Sequence, residues 1–152
     1  MPRRILITAH YQADAQQTFL AALNPLEMAE AMTGLARYDG LPDHLAKTGE
    51  TWRVDVTMFG FFKTKGYAMF IESVDRDACV MQSREHGGAI KLWDHRLSVR
   101  QEGERAIWTD DVTLDAGLMT PFMARFGAYM YRRRHRYRRA LSITAQIEKV
   151  LT

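Results

Sequence analysis

The chain has 152 residues and a mass of 17.5 kDa, with 47% hydrophobic and 26% charged residues and only ten glycines and four prolines. Collagen-like, low-complexity and wholly disordered chains are excluded; one domain over residues 1–152 is expected, large enough to need no disulfide or metal staple. The net charge of +3 conceals an asymmetry: six of the 21 Lys and Arg lie between Arg132 and Arg139, and the remaining 15 face 18 Asp and Glu.

Strand formers dominate Arg3–Gln12 (Ile5, Ile7, Thr8, Tyr11), which is predicted as the first strand. Asp14 can cap a short helix, with Gln17 three residues on, and Phe19, Leu20 and Leu23 form its apolar face before Pro25. A second short helix is expected from Leu26 to about Met32; Gly34, Gly40 and Pro42 then make Leu35–Thr48 mostly loop. From Gly49 the period becomes two. Trp52, Val54, Val56 and Met58 alternate with Arg53, Asp55 and Thr57, a strand with one dry face. Gly66–Val74 and Ala78–His86 follow as strands joined at Asp75-Arg76-Asp77, then Ile90–Arg100 and Arg105–Leu114 joined at Glu102-Gly103. Pro121 suits the first turn of a helix, and only Gly127 interrupts it as far as Val150, a length of about 45 Å.

The predicted class is therefore α+β: a curved antiparallel sheet whose dry face must be covered by the long last helix. Tyr11-Gln12-Ala13-Asp14 runs into Thr18-Phe19, and Lys47-Thr48-Gly49-Glu50-Thr51-Trp52 opens the meander. The last helix carries Met130-Tyr131-Arg132-Arg133-Arg134-His135-Arg136, an aromatic followed by an Arg/His run. With these motifs the order of elements resembles the START/polyketide-cyclase superfamily (SRPBCC), the helix-grip proteins that include the birch-pollen-type allergens. The last motif looks like some bacterial ligand-binding members. One departure is Ala13-Asp14 before the first helix, where the family usually favours proline. The resemblance implies a hydrophobic cavity between helix and sheet, used by relatives for lipid or aromatic ligands or for cyclase-type catalysis.

With Glu102-Gly103 as a two-residue turn, Val99 faces Ala106, Leu97 faces Trp108, His95 faces Asp110 and Trp93 faces Val112, all on the dry face. His95 and Asp110 then either satisfy one another inside a core or form an acid–base pair. On the last helix Met119, Phe122, Phe126, Tyr129, Met130, Tyr137, Ala140, Thr144, Ile147 and Leu151 share one arc, with Arg133 near its middle. Arg133 is thus expected to point toward the sheet, where Asp110, Glu72, Glu85 or an anionic ligand group must meet it. The other five arginines of the run read as a solvated face. Trp52, Tyr67, Trp93, Trp108, Phe126, Tyr129, Met130 and Tyr137 are the candidate lining of the cavity, expected at a few hundred Å³. Phe59-Gly60-Phe61-Phe62, followed by Lys63, Thr64 and Lys65, is an apolar hairpin tip of the kind that marks a partner or a gate.

The five histidines have no metal-ligand spacing on a single element, Cys79 reads as a packing residue, and no phosphate loop or nucleophile elbow occurs. One cysteine and the lack of a signal-like or membrane-spanning apolar run lead to the expectation of a reduced, cytoplasmic setting. Two functions compete: a module binding a small hydrophobic molecule, including one with an acidic group, and a cyclase or dehydratase. In the enzyme His95 would act as acid or base, Asp110 would orient it and Arg133 would steady an oxyanion. Binding of nucleic acid or anionic membrane by the arginine-rich helix is disfavoured, since its basic flank is narrow. The expected partners are a small hydrophobic ligand and, among proteins, a second copy of the chain in a homodimer. No cofactor, no metal, no specific nucleic acid and no transmembrane segment are expected.

Overall fold

Period-two alternation of apolar and polar residues builds a seven-stranded antiparallel sheet in a computed structural model that describes residues 1–151, the side chains of 145 and 146 left aside. The elements run β1 (Arg3–Tyr11), α1 (Ala15–Ala22), α2 (Pro25–Ala31), β2 (Ala36–Asp39), β3 (Thr51–Met58), β4 (Phe62–Asp75), β5 (Val80–Gly87), β6 (Ile90–Glu102), β7 (Arg105–Asp115) and α3 (Thr120–Leu151). The spatial order is β1-β7-β6-β5-β4-β3-β2, so every neighbour but the β1–β7 pair is also a neighbour in sequence. Asp14 caps α1 by accepting from the Gln17 N–H at 3.1 Å, and Asn24 caps α2 through the Leu26 N–H at 3.1 Å. At 32 residues α3 is about 48 Å long.

Two parts of the core sit on the concave face. Phe19 and Leu23 of α1 pack with Tyr11, Ile71, Leu97, Val99 and Trp108. Ile5, Ile7, Trp93, Val112 and Leu114 lie beneath α3, which rests on β1 and β7 at one side of the sheet.

Three expectations are corrected. The stretch read as loop after α2 contains β2, a four-residue edge strand on β3 too short for a period to register. The β6–β7 hairpin turns at Gly103-Glu104, with Gly103 at φ 60° and Glu102 opposite Arg105. His95 therefore faces Val112, and Leu97 faces Asp110. A slip of two residues keeps every side chain on its face, so alternation cannot tell the two registers apart.

The third correction concerns α3. Its apolar arc is turned by roughly a third of a revolution from the face that meets the sheet. Phe122, Tyr129 and Ile147 are exposed, whereas Gly127, Arg134 and His135 are buried. The reason is close approach. A Cβ on Gly127 would stand 2.7 Å from Trp93 and 3.0 Å from Ile5, so the helix lies against the sheet where it has no side chain. Arg133, half-buried, does not reach the sheet: it donates to the carbonyls of Ala31 (2.8 Å) and Thr33 (2.6 Å) just past α2. Arg134 and Arg138 are not solvated. Arg134 donates to the Ala21 and Ala22 carbonyls at 3.3 and 3.2 Å and stacks over Trp108, while Arg138 pairs with Glu27 at 3.0 Å.

Candidate functional site

Strand β7 presents Trp108, Asp110 and Val112 to the interior in alternation, and Asp110 is 1% exposed. A carboxylate so placed must be surrounded by donors. His95 Nε2 lies 2.8 Å from Oδ1, His135 Nε2 3.0 Å from Oδ2, and Trp108 Nε1 donates to Oδ1 at 3.1 Å. His95 reaches across from β6 on the diagonal of the ladder, and His135 comes down from α3. On the other side of the ring, His135 Nδ1 is hydrogen-bonded to the Tyr11 hydroxyl, 2.5 Å away. Burial by itself would raise the Asp110 carboxyl. Hydrogen bonds from His135 and His95, and their charge, outweigh it and hold the group well below the usual carboxylate range. Burial also pushes the Tyr11 hydroxyl well above its ordinary value.

A second polar group continues across the concave face. Glu85 stands on β5 opposite Trp93 of β6, accepting from Tyr67 at 3.1 Å and from Ser83 at 3.2 Å. Burial raises its carboxyl, opposed by the His95 charge and by those two hydrogen bonds. Tyr131 of α3 receives the Trp93 indole N–H at 3.1 Å, and its ring centroid is 5.1 Å from that of His95. Burial pushes Tyr38 up to about 12 and Tyr67 and Tyr131 well above their ordinary values. A seam of hydroxyl, carboxyl and imidazole groups therefore crosses an otherwise apolar face, with the anion at Asp110 and the raised carboxyl at Glu85.

The residues singled out in the sequence separate into distinct places. His95 and Asp110 meet; Arg133 is not with them. Tyr67, Trp93 and Met130 belong to the interior beside α3, and Trp52 is half-buried with its indole N–H on Glu50 at 3.1 Å. Trp108 is fully buried between Tyr11, His135 and Arg134 and faces no opening. Phe126 lies against Phe59 of the β3–β4 hairpin, Tyr129 is exposed under Arg136, and Tyr137 donates to Glu30 of α2 at 2.7 Å. Two grooves open on the surface, one of about 540 Å³ along Ala46–Thr48 and Val74–Asp77 and one of about 290 Å³ beside Leu35–Arg37 and Lys63; neither borders α3.

Tyr11, His135 and Tyr131 are not among the site residues expected from the sequence, and Glu85, expected there as a candidate partner of Arg133, meets Tyr67 and Ser83 instead. Their signals were present: Gly127, Tyr131 and His135 recur every fourth residue, and Met81, Ser83 and Glu85 alternate on one face of β5. No group of three or more His, Cys, Asp or Glu able to hold a metal occurs among the described residues, and no described helix is long and apolar enough to cross a membrane.

No family model matches the chain, and no curated protein does. Solved structures do. TTHA0849 from Thermus thermophilus aligns with a TM-score of 0.68 at 12% identity, over 92% of this chain and 99% of that one. Protein CV1439 from Chromobacterium violaceum gives 0.72 at 12% identity, over 91% and 95%. Ara h 8.0201 gives 0.63 at 8% identity, over 90% and 97%. The architecture is the helix-grip fold of the birch-pollen-allergen type.

Proposed function

We propose that the chain, as one START-like domain over residues 1–152, holds a small and mainly apolar molecule between the concave sheet and α3. Lipids and aromatic polyketides are the classes that suit such a space. One observation carries the reading. Tyr38, Tyr67, Glu85 and Tyr131 are each half-buried, and Tyr67 donates to Glu85 at 3.1 Å while Tyr131 receives the Trp93 indole N–H at 3.1 Å. Half-buried polar groups on an otherwise apolar inner face are what a hollow between sheet and helix would offer a ligand. The position of α3 supports this, since its backbone lies nearest β1 and β7 and reaches β6 at Trp93, whereas Glu85 stands on β5.

Trp52, Tyr67, Trp93, Phe126 and Met130 are the apolar residues we assign to the hollow and its rim. Arg133 and Arg134 are committed to backbone carbonyls, so the polar end of the ligand is a neutral hydroxyl or carbonyl facing Glu85 and Tyr67 rather than an anion. The setting we assign is cytoplasmic.

A second reading, a cyclase or dehydratase of the SRPBCC type, is favoured by one feature. Asp110 grips His95 through Nε2, the arrangement that orients an imidazole for proton transfer at its other nitrogen. Arg133 takes no part in that version, since its guanidinium faces α2.

Native mass spectrometry of the protein purified from its own host tests binding. A non-covalent adduct, released on denaturation and diminished in Tyr67→Phe/Glu85→Gln, is the expected result. Protein that carries nothing, and takes up no neutral apolar compound offered to it, contradicts the reading.

A further inference from the structure

The β3–β4 hairpin ends in an unusual tip. Phe59 at φ 54° and Gly60 at φ 80° turn the chain back, and the Phe61 N–H bonds the Met58 carbonyl at 3.2 Å. A left-handed backbone at a phenylalanine costs on the order of 1–2 kcal/mol, and its result here is a division of labour. Phe59 turns onto Phe126 of α3, with centroids 5.6 Å apart, while the Phe61 and Phe62 rings lie tilted against each other at 4.5 Å and stand 68% and 61% exposed. Phe122 stacks on Phe126 at 6.1 Å, and Tyr129 lies 6.5 Å from it on the other side. Six aromatic rings thus form one continuous, largely exposed cluster joining a hairpin tip to the first half of the long helix.

The two segments that carry the rings hold charge of one sign. Lys63 and Lys65 follow directly on the tip, Arg125 is exposed one turn past Phe122, and Arg136 stacks over Tyr129 at 5.8 Å. No Asp or Glu occurs between Asp55 and Glu72, nor between Asp115 and Glu148. Arg37, paired with Asp39, and Lys63 line the groove of about 290 Å³ at the base of the tip. A partner protein with an ordinary mixed surface would meet this ring of cations poorly. A surface that is apolar in depth and anionic at its face meets both features: rings enter the acyl boundary and cations stay with the headgroups.

We propose that the Phe59–Phe62 tip and the Phe122–Tyr129 face of α3 dock the protein on a bilayer rich in anionic lipid. The proposal is independent of whether the interior holds a ligand. The basic run alone is not the docking element; the aromatic tip is, and the nearby cations select the charge of the membrane.

The test is flotation of the full chain with vesicles of phosphatidylcholine alone and of phosphatidylcholine containing phosphatidylglycerol. Binding is expected only to the second and should weaken as salt rises. Phe61→Ser/Phe62→Ser should lower vesicle affinity about a hundredfold with the melting temperature kept, because both rings are already exposed in the free protein. Lys63→Glu, Lys65→Glu and Arg125→Glu should each lower it about fivefold or more and flatten the salt dependence. Failure to float with anionic vesicles overturns the proposal. So does equal binding to both vesicles, binding that survives loss of Phe61 and Phe62, or a solution dimer dissolved by that change without any vesicle binding.

Discussion

Two carboxylates on one face of the sheet are shifted in opposite directions by their neighbours. Asp110 has three N–H donors and is held ionised; Glu85 has two hydroxyls and a more distant imidazole, and burial wins. The consequences for stability have opposite signs. Asp110, lowered in the fold, contributes stability present above its unfolded value near pH ~3.9 and lost as pH falls through its folded value. Glu85, raised in the fold, contributes stability present below about pH 4.3 and lost as pH rises through its folded value. Glu85→Gln removes that second loss while keeping an acceptor for Tyr67 or Ser83. It is expected to raise the melting temperature near neutral pH by a few degrees, about 1 kcal/mol, with the gain disappearing near pH ~4. Thermal melts of both proteins across this range check it; a gain that persists at low pH would mean that ionisation of Glu85 is not the cause.

At the scale of elements, α3 is the informative case. Counting apolar residues around it selects Phe122, Phe126 and Tyr129 as its inner face, yet that face meets α2 and the hairpin tip or stays exposed. The helix grips the sheet with Gly127, Tyr131, Arg134 and His135 instead. Gly127→Ala is accordingly expected to destabilise, despite the gain of about 1 kcal/mol in helix propensity. The added methyl meets the Trp93 indole at 2.7 Å, and overpacking of that kind costs about 1–3 kcal/mol. Urea unfolding of the variant decides the matter, and an increase in stability would place the helix further from Trp93 than described. The same element explains what was legible in the sequence. Strands β3 to β7, both short helices and the shared face of His95 and Asp110 follow from local periods and caps. The partner that completes Asp110 does not, because His135 is 25 residues away on a helix whose buried stripe is small and polar. Hydrophobicity alone points elsewhere on such a helix. Register fails for a related reason: a hairpin displaced by two residues presents the same faces.

The molecule as a whole combines a sheet covered on one side by α3 with polar groups set into its inner face. Trp93 stands beside the proposed site: its indole N–H bonds the Tyr131 hydroxyl, and Glu85 is its partner across the β5–β6 ladder. Binding inside the fold and binding at the aromatic tip are separable, since Phe61 and Phe62 lie outside and Glu85 and Tyr67 inside. The most direct measurement is a titration of the protein with the neutral fluorophore N-phenyl-1-naphthylamine, followed by energy transfer from tryptophan. Saturable binding of one molecule per chain, weakened by Tyr67→Phe/Glu85→Gln and unchanged by Phe61→Ser/Phe62→Ser, is the result expected of an interior site. Binding that fails to saturate, or that is abolished by the Phe61 and Phe62 changes and indifferent to Tyr67 and Glu85, would contradict it.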